Sequence, residues 1–143
     1  MFAHPSILLI DDSPGECELF RLAVIQSGVE VSLFTEDDAE AAMHFLNNHS
    51  ILPCFVLLDW HLSNHCGDAF LKRLRSDARL GTIPVVVFTT SDEAADLAAA
   101  YAQGANGYVV KPATFDELVQ CIEDMCRYWI GRNRTAIRMT ATC

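Results

Sequence analysis

Short apolar runs along the chain alternate with stretches in which apolar residues recur every three or four positions. The first run, Ser6–Ile10, is apolar at nearly every position, as in a strand buried on both faces of a parallel sheet. A helix is predicted directly after it, because Ser13 can act as N-cap, Pro14 suits the first helical position, and Glu16 lies three residues after the cap. Gly28 ends this helix, which completes one βα unit.

Four further units of the same kind follow along the chain. The predicted strands are residues 6–10, 30–34, 54–58, 83–88 and 106–110, and the later helices are residues 38–48, 67–77, 92–103 and 115–130. The buried faces of the second and third helices are predicted at Ala42, Phe45 and Leu46 and at Phe70, Leu71 and Leu74. Because parallel neighbours need right-handed crossovers, the alternation predicts a doubly wound α/β fold with a five-stranded parallel sheet.

Length and charge narrow the class of protein. The 143 residues fit one domain, which we expect at residues 1–131, followed by an irregular tail at 132–143 and no effector domain. No apolar run approaches the roughly 20 residues of a membrane-spanning helix, and the N-terminus lacks a secretory leader, so we expect a cytoplasmic protein. The net charge of −9 argues against a nucleic-acid partner. The six cysteines form no C-x-x-C pair, and we expect reduced thiols.

Five polar residues stand where predicted strands end. Asp11 and Asp12 follow the first strand, Asp59 follows the third, Thr89 the fourth and Lys111 the fifth. Ligands of open α/β sheets bind outside the carboxyl ends of the strands, so these side chains are expected to share one site. Three crowded carboxylates raise one another's pKa values unless a cation is present, and their oxygens favour Mg²⁺ over zinc. Lys111 is expected to pair with Asp59 at rest and with a phosphoryl oxygen afterwards, and the Thr89 hydroxyl is placed to donate to another oxygen.

Each of these residues also has a simpler explanation. An aspartate after a strand commonly caps a helix or forms a turn, a threonine there is an ordinary strand end, and a lysine is commonly a solvated surface charge. Capping does not account for three acids, a hydroxyl and a lysine that meet at four strand ends. The joint placement therefore favours a functional site.

The motifs that contain these residues resemble the receiver domain of bacterial response regulators, along nearly the whole chain to about Asn133. They are Ile10-Asp11-Asp12, Leu57-Leu58-Asp59, the run from Ile83 to Thr90 and the run from Gly104 to Pro112. The resemblance implies a flavodoxin-like (βα)5 fold with strand order 2-1-3-4-5. It also implies a phosphoacceptor that assists its own phosphorylation and dephosphorylation rather than an enzyme.

The resemblance implies a role for each site residue. Asp59 would accept a phosphoryl group from a phosphohistidine of a sensor histidine kinase. Asp12, Asp59 and the main-chain carbonyl of His61 would bind Mg²⁺ directly, and Asp11 would act largely through water. The Lys111–Pro112 bond would be a cis peptide, which only X-Pro bonds adopt at low cost.

A conformational switch is implied as well. Thr89 would move to the phosphoryl group, Tyr108 would turn into the space that Thr89 leaves, and the surface of the fourth helix, fifth strand and fifth helix would change for partner binding. Tyr108 is equally well explained as a half-buried strand aromatic. Close to the site, the chain departs from the usual family pattern at Trp60, His61, Thr90 and Ser91. These residues bear on access to the acyl phosphate and on its lifetime.

The predicted last helix carries two apolar lines. The line expected to face the sheet is Phe115, Leu118, Val119, Ile122, Cys126 and Trp129. Cys121, Met125 and Tyr128 form the second line, which is either ordinary partial exposure or one face of a homodimer. Thr89-Thr90-Ser91 and Tyr128-Trp129 resemble response regulators that serve bacterial phytochrome kinases, some of which dimerise through this region. A bacteriophytochrome is thus a candidate kinase partner.

Three functions remain open from the sequence. The first is the phosphoacceptor switch. The second is a pseudo-receiver, a binding module of the same fold that is not phosphorylated, and the presence of all five site residues disfavours it. The third is a phosphatase with an aspartyl nucleophile. Such enzymes use a second acid two residues after the nucleophile, where this chain has His61.

Overall fold

The computed structural model describes residues 4–62 and 67–134, which form a single parallel sheet flanked by helices. The strands are β1 (Ser6–Ile10), β2 (Ser32–Glu36), β3 (Phe55–Leu58), β4 (Val85–Thr89) and β5 (Gly107–Val110). The helices are α1 (Pro14–Ser27), α2 (Ala39–Asn47), α3 (Asp68–Arg75), α4 (Ala94–Ala102) and α5 (Phe115–Trp129). The strand order is β2-β1-β3-β4-β5, and all neighbours are parallel. The predicted fold class and strand order are confirmed.

The central strands are buried on both faces, which explains their continuous apolar sequences. Side chains alternate along a strand, so in β1 Ile7 and Leu9 belong to one core and Leu8 and Ile10 to the other. Helices α1 and α5 cover the first core, while α2, α3 and α4 cover the second. The polar residues that follow the strands are thereby left at the carboxyl edge of the sheet.

The start of α1 forms largely as its sequence predicts. The Ser13 hydroxyl accepts the Glu16 N–H at 3.2 Å, and Gly28 ends the helix with a φ of 74°. The N–H of Ser13 donates to Asp11 Oδ1 at 2.9 Å. In a capping box the Glu16 side chain would accept the Ser13 N–H. Here Asp11, directly after β1, accepts it instead.

Strand β2 lies two residues later than predicted, at 32–36 in place of 30–34. It is an edge strand, and pairing with β1 places Ser32 opposite Ser6 and Glu36 opposite Ile10. Thr35 and Glu36 belong to the ladder although they are polar, because an edge strand is only partly buried and its side chains remain near water. The apolar pattern alone therefore misplaces this strand.

Smaller differences affect the other elements. Strand β4 begins at Val85 instead of residue 83, since Pro84 has no N–H to contribute to the ladder. Helix α3 is shorter than predicted at both ends, and α4 runs from Ala94 to Ala102 in place of 92–103. Frayed helix ends account for differences of this size. The predicted burial of Phe70, Leu71 and Leu74 in α3 is confirmed.

The buried positions of α2 and α5 differ in part from those predicted. In α2 the predicted burial of Ala42 and Leu46 is confirmed and Met43 is buried as well, while Phe45 is only partly buried and stacks on His49 with ring centroids 3.9 Å apart. In α5 Met125, placed in the second apolar line, is buried, whereas Phe115 is 39% exposed. An apolar stripe predicts which side of a helix packs, but the packing angle against the sheet decides which neighbouring positions are covered.

The cysteines differ in state. Cys17, Cys121 and Cys126 are free thiols, whereas Cys54 takes part in a disulfide. The expectation of reduced thiols is therefore wrong at Cys54, because spacing along the chain does not show which distant cysteines the fold brings together. Burial raises the pKa of Cys126 to about 11, which keeps it protonated at neutral pH.

The end of the chain is described only in part. Arg132 and Asn133 donate their N–H groups to the Tyr128 carbonyl just after α5. The tail expected at 132–143 lies outside the described residues from residue 135 onward. Within residues 4–62 and 67–134, every helix is too short or too polar to cross a bilayer.

Candidate functional site

The carboxyl ends of β1 and β3 bring three acids together. The two strands are neighbours, with Ile10 opposite Leu58, and the Asp59 N–H donates to the Ile10 carbonyl at 2.9 Å. Asp11, Asp12 and Asp59 each offer a carboxylate oxygen within 4.8 Å of the other two. Asp11 is buried, and the other two are partly exposed. The acids predicted at this edge therefore share one cluster.

Two of these acids also form local turns. Asp11 Oδ1 accepts the Ser13 N–H at 2.9 Å, and Asp59 Oδ1 accepts the His61 N–H at 3.2 Å. The simpler explanation for an aspartate after a strand thus holds for both residues. In each case the other oxygen, Oδ2, is directed to Lys111. The turn and the shared cluster are therefore compatible uses of one side chain.

Lys111 joins the acids from the end of β5. Its Nζ lies 2.8 Å from Asp11 Oδ2 and 3.6 Å from Asp59 Oδ2, so its closer contact is Asp11 rather than the predicted Asp59. Burial lowers the pKa of Lys111, but the hydrogen bond to Asp11 and the charges of Asp59 and Asp11 outweigh it. The pKa of Lys111 is raised as a result, and its ammonium stays charged.

The acid cluster fits a hard divalent cation. Burial raises the pKa of Asp59 above its ordinary value; the charge of Lys111 and the His61 N–H oppose this, and the charge of Asp11 adds to it. One ammonium does not neutralise three carboxylates. Carboxylate oxygens at this spacing are ligands that Mg²⁺ and similar ions prefer.

Thr89 lies at the same edge of the sheet. It is the last residue of β4 and is 1% exposed. The register of β3 and β4 places Leu58 opposite Val87. Asp59 directly follows Leu58 and Thr89 lies two residues after Val87, so both residues lie at the carboxyl ends of adjacent strands. The Thr89 hydroxyl accepts the Ser91 N–H at 3.4 Å. Its contact with a phosphoryl group stays a prediction.

A hydrogen-bonded group that sequence reasoning missed lies beside the site. The Tyr108 hydroxyl donates to the Ser91 carbonyl at 2.8 Å. The Ser91 hydroxyl donates to Asp96 Oδ2 at 2.6 Å, and His61 Nε2 lies 2.7 Å from the same oxygen. Hydrogen bonds from Ser91 and His61 lower the pKa of Asp96. Asp96 follows no strand, and its only signal in the sequence is that of an acid in the first turn of a helix.

The prediction of a cis Lys111–Pro112 bond is wrong, since the structure has no cis peptide within the residues it describes. The trans form of an X-Pro bond is favoured by about 0.5–1 kcal/mol. In the trans form, Lys111 already bonds the Thr89 carbonyl through its N–H and Asp11 through Nζ. The role of the His61 carbonyl as a metal ligand stays a prediction.

Comparison with known proteins identifies relatives of this chain. Residues 7–123 match the family model of the response regulator receiver domain. The probable methanogenesis regulatory protein FilR2 of Methanothrix harundinacea is 35% identical over 133 residues, which cover 90% of this chain and 86% of that protein. The response regulator Rcp1 of Synechocystis sp. is 30% identical over 129 residues, which cover 87% of this chain and 88% of Rcp1.

Solved structures agree with the fold. The phosphorylated cyanobacterial phytochrome response regulator RcpA superposes with a TM-score of 0.83 at 29% identity, covering 94% of this chain and 99% of that one. The Mn²⁺-bound form of Rcp1 has a TM-score of 0.77 at 29% identity, covering 91% and 97%. Because the family model spans most of the chain and the fold agrees throughout, the chain belongs to the response regulator receiver domain family of two-component systems.

Proposed function

We propose that the chain is a single-domain response regulator in which Asp59 accepts a phosphoryl group from a sensor histidine kinase. The observation that carries this proposal is the placement of the Asp59 carboxylate among Asp11, Asp12 and the Lys111 ammonium. A turn-forming aspartate needs none of these neighbours. A phosphoacceptor needs positive charge to offset that of the transferred group, and here Lys111 would supply it directly and a divalent cation held by the carboxylates would supply the rest.

The residues of the chain have distinct tasks in the transfer. An Asp59 oxygen attacks the phosphorus of the phosphohistidine, the P–N bond breaks, and the imidazole leaves with the bonding electron pair and takes up a proton. Asp59 then carries an acyl phosphate. Lys111, 3.6 Å from Asp59, pairs with one phosphoryl oxygen, and the Thr89 hydroxyl donates to another.

Mg²⁺ is the cofactor that we propose. Asp12, Asp59 and the main-chain carbonyl of His61 would hold it directly, and Asp11 largely through water. When bound, the ion supplies positive charge that stabilises the transferring group. The three clustered carboxylates and the divalent ion in the structure of Rcp1 support this assignment.

The output is proposed at the surface of α4, β5 and α5. Large apolar side chains there are between 41% and 52% exposed: Leu97, Tyr101, Val110 and Tyr128. Exposed apolar surface of this kind fits a protein partner. In the proposed switch, Thr89 moves to the phosphoryl group and Tyr108 turns into the space that Thr89 leaves.

Three partners are proposed for this chain: a kinase, a second copy of the chain and a downstream protein. The names of Rcp1 and RcpA as response regulators, with RcpA serving a phytochrome, favour a bacteriophytochrome as the kinase. A second copy of the chain is the proposed partner of the α4-β5-α5 surface, alongside a downstream protein. Light scattering after gel filtration should then show a dimer in at least one of the unphosphorylated and phosphorylated forms, and monomer in both would remove the dimer from the account.

Phosphorylation should require the divalent ion. Incubation with acetyl phosphate and Mg²⁺ is expected to give one retarded band on a phosphate-affinity gel, and EDTA should abolish it, because three carboxylates without the ion repel the incoming group. Asp59→Asn should give no band. A folded protein that is never labelled would instead be a pseudo-receiver, and turnover of a generic phosphate ester would indicate a phosphatase.

A further inference from the structure

Cys54 takes part in a disulfide, and its partner is not one of the other cysteines in residues 4–62 and 67–134. Those three are free thiols: Cys17, Cys121 and Cys126. Cys126 packs in the same apolar core as Cys54 without bonding to it. The chain has six cysteines, so the partner of Cys54 is either Cys66 or Cys143.

Cys66 is tied to the wrong end of β3. Cys54 directly precedes this strand and Asp59 directly follows it, so about 16 Å of extended chain separates them. Gly67, the neighbour of Cys66, packs on Asp59, because a Cβ there would lie 3.1 Å from the Asp59 carbonyl oxygen. Adjacent Cα atoms are about 3.8 Å apart, which keeps the Cα of Cys66 about 8 Å or more from that of Cys54. A disulfide needs these atoms within about 7 Å of each other, so Cys66 is excluded.

The chain that follows α5 starts close to Cys54. Helix α5 ends at Trp129, and the ring centroids of Trp129 and of Phe55, the neighbour of Cys54, are 6.3 Å apart. The N–H of Asn133 still bonds a carbonyl of the last turn of α5, which keeps the chain at this place. Ten further residues lead to Cys143, and at about 3.3 Å per residue they span up to about 33 Å. Cys143 is therefore within reach of Cys54.

We propose that Cys143 is the partner of Cys54 and that their disulfide ties residues 135–143 back to the amino edge of the sheet, beside the end of α5. We call this link the tail latch. Cys54 is fully buried, so the latch anchors that segment to the core of the fold. The proposed phosphoryl site lies at the opposite, carboxyl edge of the sheet, so the latch does not depend on phosphorylation of Asp59.

The latch is expected to open and close with redox conditions. Disulfides of proteins in reducing compartments usually sense redox state, and this one joins a core residue to a segment beyond α5, so opening it releases that segment and leaves the sheet paired. A dithiol reductant supplies two electrons and two protons: the Cys54–Cys143 bond breaks, two thiols form, and the dithiol closes to a cyclic disulfide. A small-molecule disulfide such as oxidised glutathione restores the link by the reverse exchange and leaves as two thiols.

Disulfide mapping tests the pairing directly. The protein is equilibrated with oxidised glutathione, alkylated in denaturant and digested with trypsin without reduction. Trypsin leaves Cys54 and Cys66 on one peptide, residues 22–72, and Cys143 on another, residues 139–143. We expect these two peptides to be joined, and a further cut before Asp59 should place the link on Cys54. A link within residues 22–72, or a Cys54 that is alkylated or joined to glutathione, would overturn the latch.

Limited proteolysis of the native protein tests whether the latch holds the segment in place. Trypsin should cut after Arg134 and Arg138 about ten times more slowly in the oxidised than in the reduced protein, because a tethered segment must first open locally. Cys143→Ser should abolish this difference, and the matched control Cys66→Ser should keep it. Equal rates in the oxidised and reduced wild type, or loss of protection in a folded Cys66→Ser protein, would overturn the latch. Labelling of Asp59 is measured separately, so failure of either proposal leaves the other standing.

Discussion

Replacing Lys111 with methionine is expected to slow phosphorylation by about 100-fold, the size of effect seen when one charge-stabilising group is removed from an active site. The same change should destabilise the protein by about 2–3 kcal/mol, because Asp11 is left buried without its cation. This is less than the loss of a fully buried ion pair costs, because Lys111 keeps some contact with water. The Asp11 side chain is 2% exposed and that of Lys111 10%. Urea unfolding and timed labelling with acetyl phosphate measure the two effects.

Two comparisons make the Lys111 prediction specific. Lys72→Met makes the same substitution at an exposed position of α3 and should leave both quantities unchanged. Added Mg²⁺ should recover part of the stability lost in Lys111→Met, because an ion bound only by the folded protein shifts the unfolding equilibrium. A Lys111→Met protein as stable and as reactive as the wild type would contradict the assigned electrostatics.

Replacing Arg75 with methionine is expected to destabilise the protein by about 3–5 kcal/mol. A hydrogen bond to a charged donor is worth about 1.5–3 kcal/mol, and the substitution removes several whose contributions do not add in full. The guanidinium donates to the Gly104 carbonyl at 3.0 and 2.8 Å, to Gly81 at 3.1 Å, to Ile83 at 2.7 Å and to Asn106 Oδ1 at 2.6 Å. It thereby joins the end of α3 to the segments before β4 and β5. Urea unfolding at 25 °C is the measurement.

The Arg75 effect should be confined to stability. Its partners lie at the amino ends of β4 and β5, whereas the acid cluster lies at the carboxyl ends of the strands. The folded variant should therefore still be labelled in a Mg²⁺-dependent way. Arg73→Met, on the exposed face of the same helix where it pairs with Glu40, should change stability by less than about 0.5 kcal/mol. A loss below 1 kcal/mol for Arg75→Met would contradict its structural role.

The site could be predicted from sequence because one topological rule determines it. Parallel strands place their carboxyl ends at one edge, so Asp11, Asp59 and Lys111 meet there although 100 residues separate the first from the last. Apolar runs predict the central strands for a related reason, since strands buried on both faces tolerate few polar residues.

The features that were missed depend on contacts between side chains or on pairing across the sheet. Asp96 and Arg75 bind segments distant in the sequence, and helical periodicity carries no information about such partners. The two-residue shift of β2 follows from its pairing with β1 and not from its own hydrophobicity. The disulfide at Cys54 and the preference of Lys111 for Asp11 also depend on contacts between side chains that the sequence pattern does not reveal.

The most direct test of the central claim is to locate the phosphoryl group. The protein is incubated with acetyl phosphate and Mg²⁺ and treated with borohydride, which reduces an acyl phosphate to an alcohol; the peptides are then sequenced by mass spectrometry. We expect the reduced side chain at position 59, and none in the magnesium-free sample or in Asp59→Asn. Reduction at a different acid, or none in a protein shown to be folded, would contradict the assignment of Asp59 as phosphoacceptor.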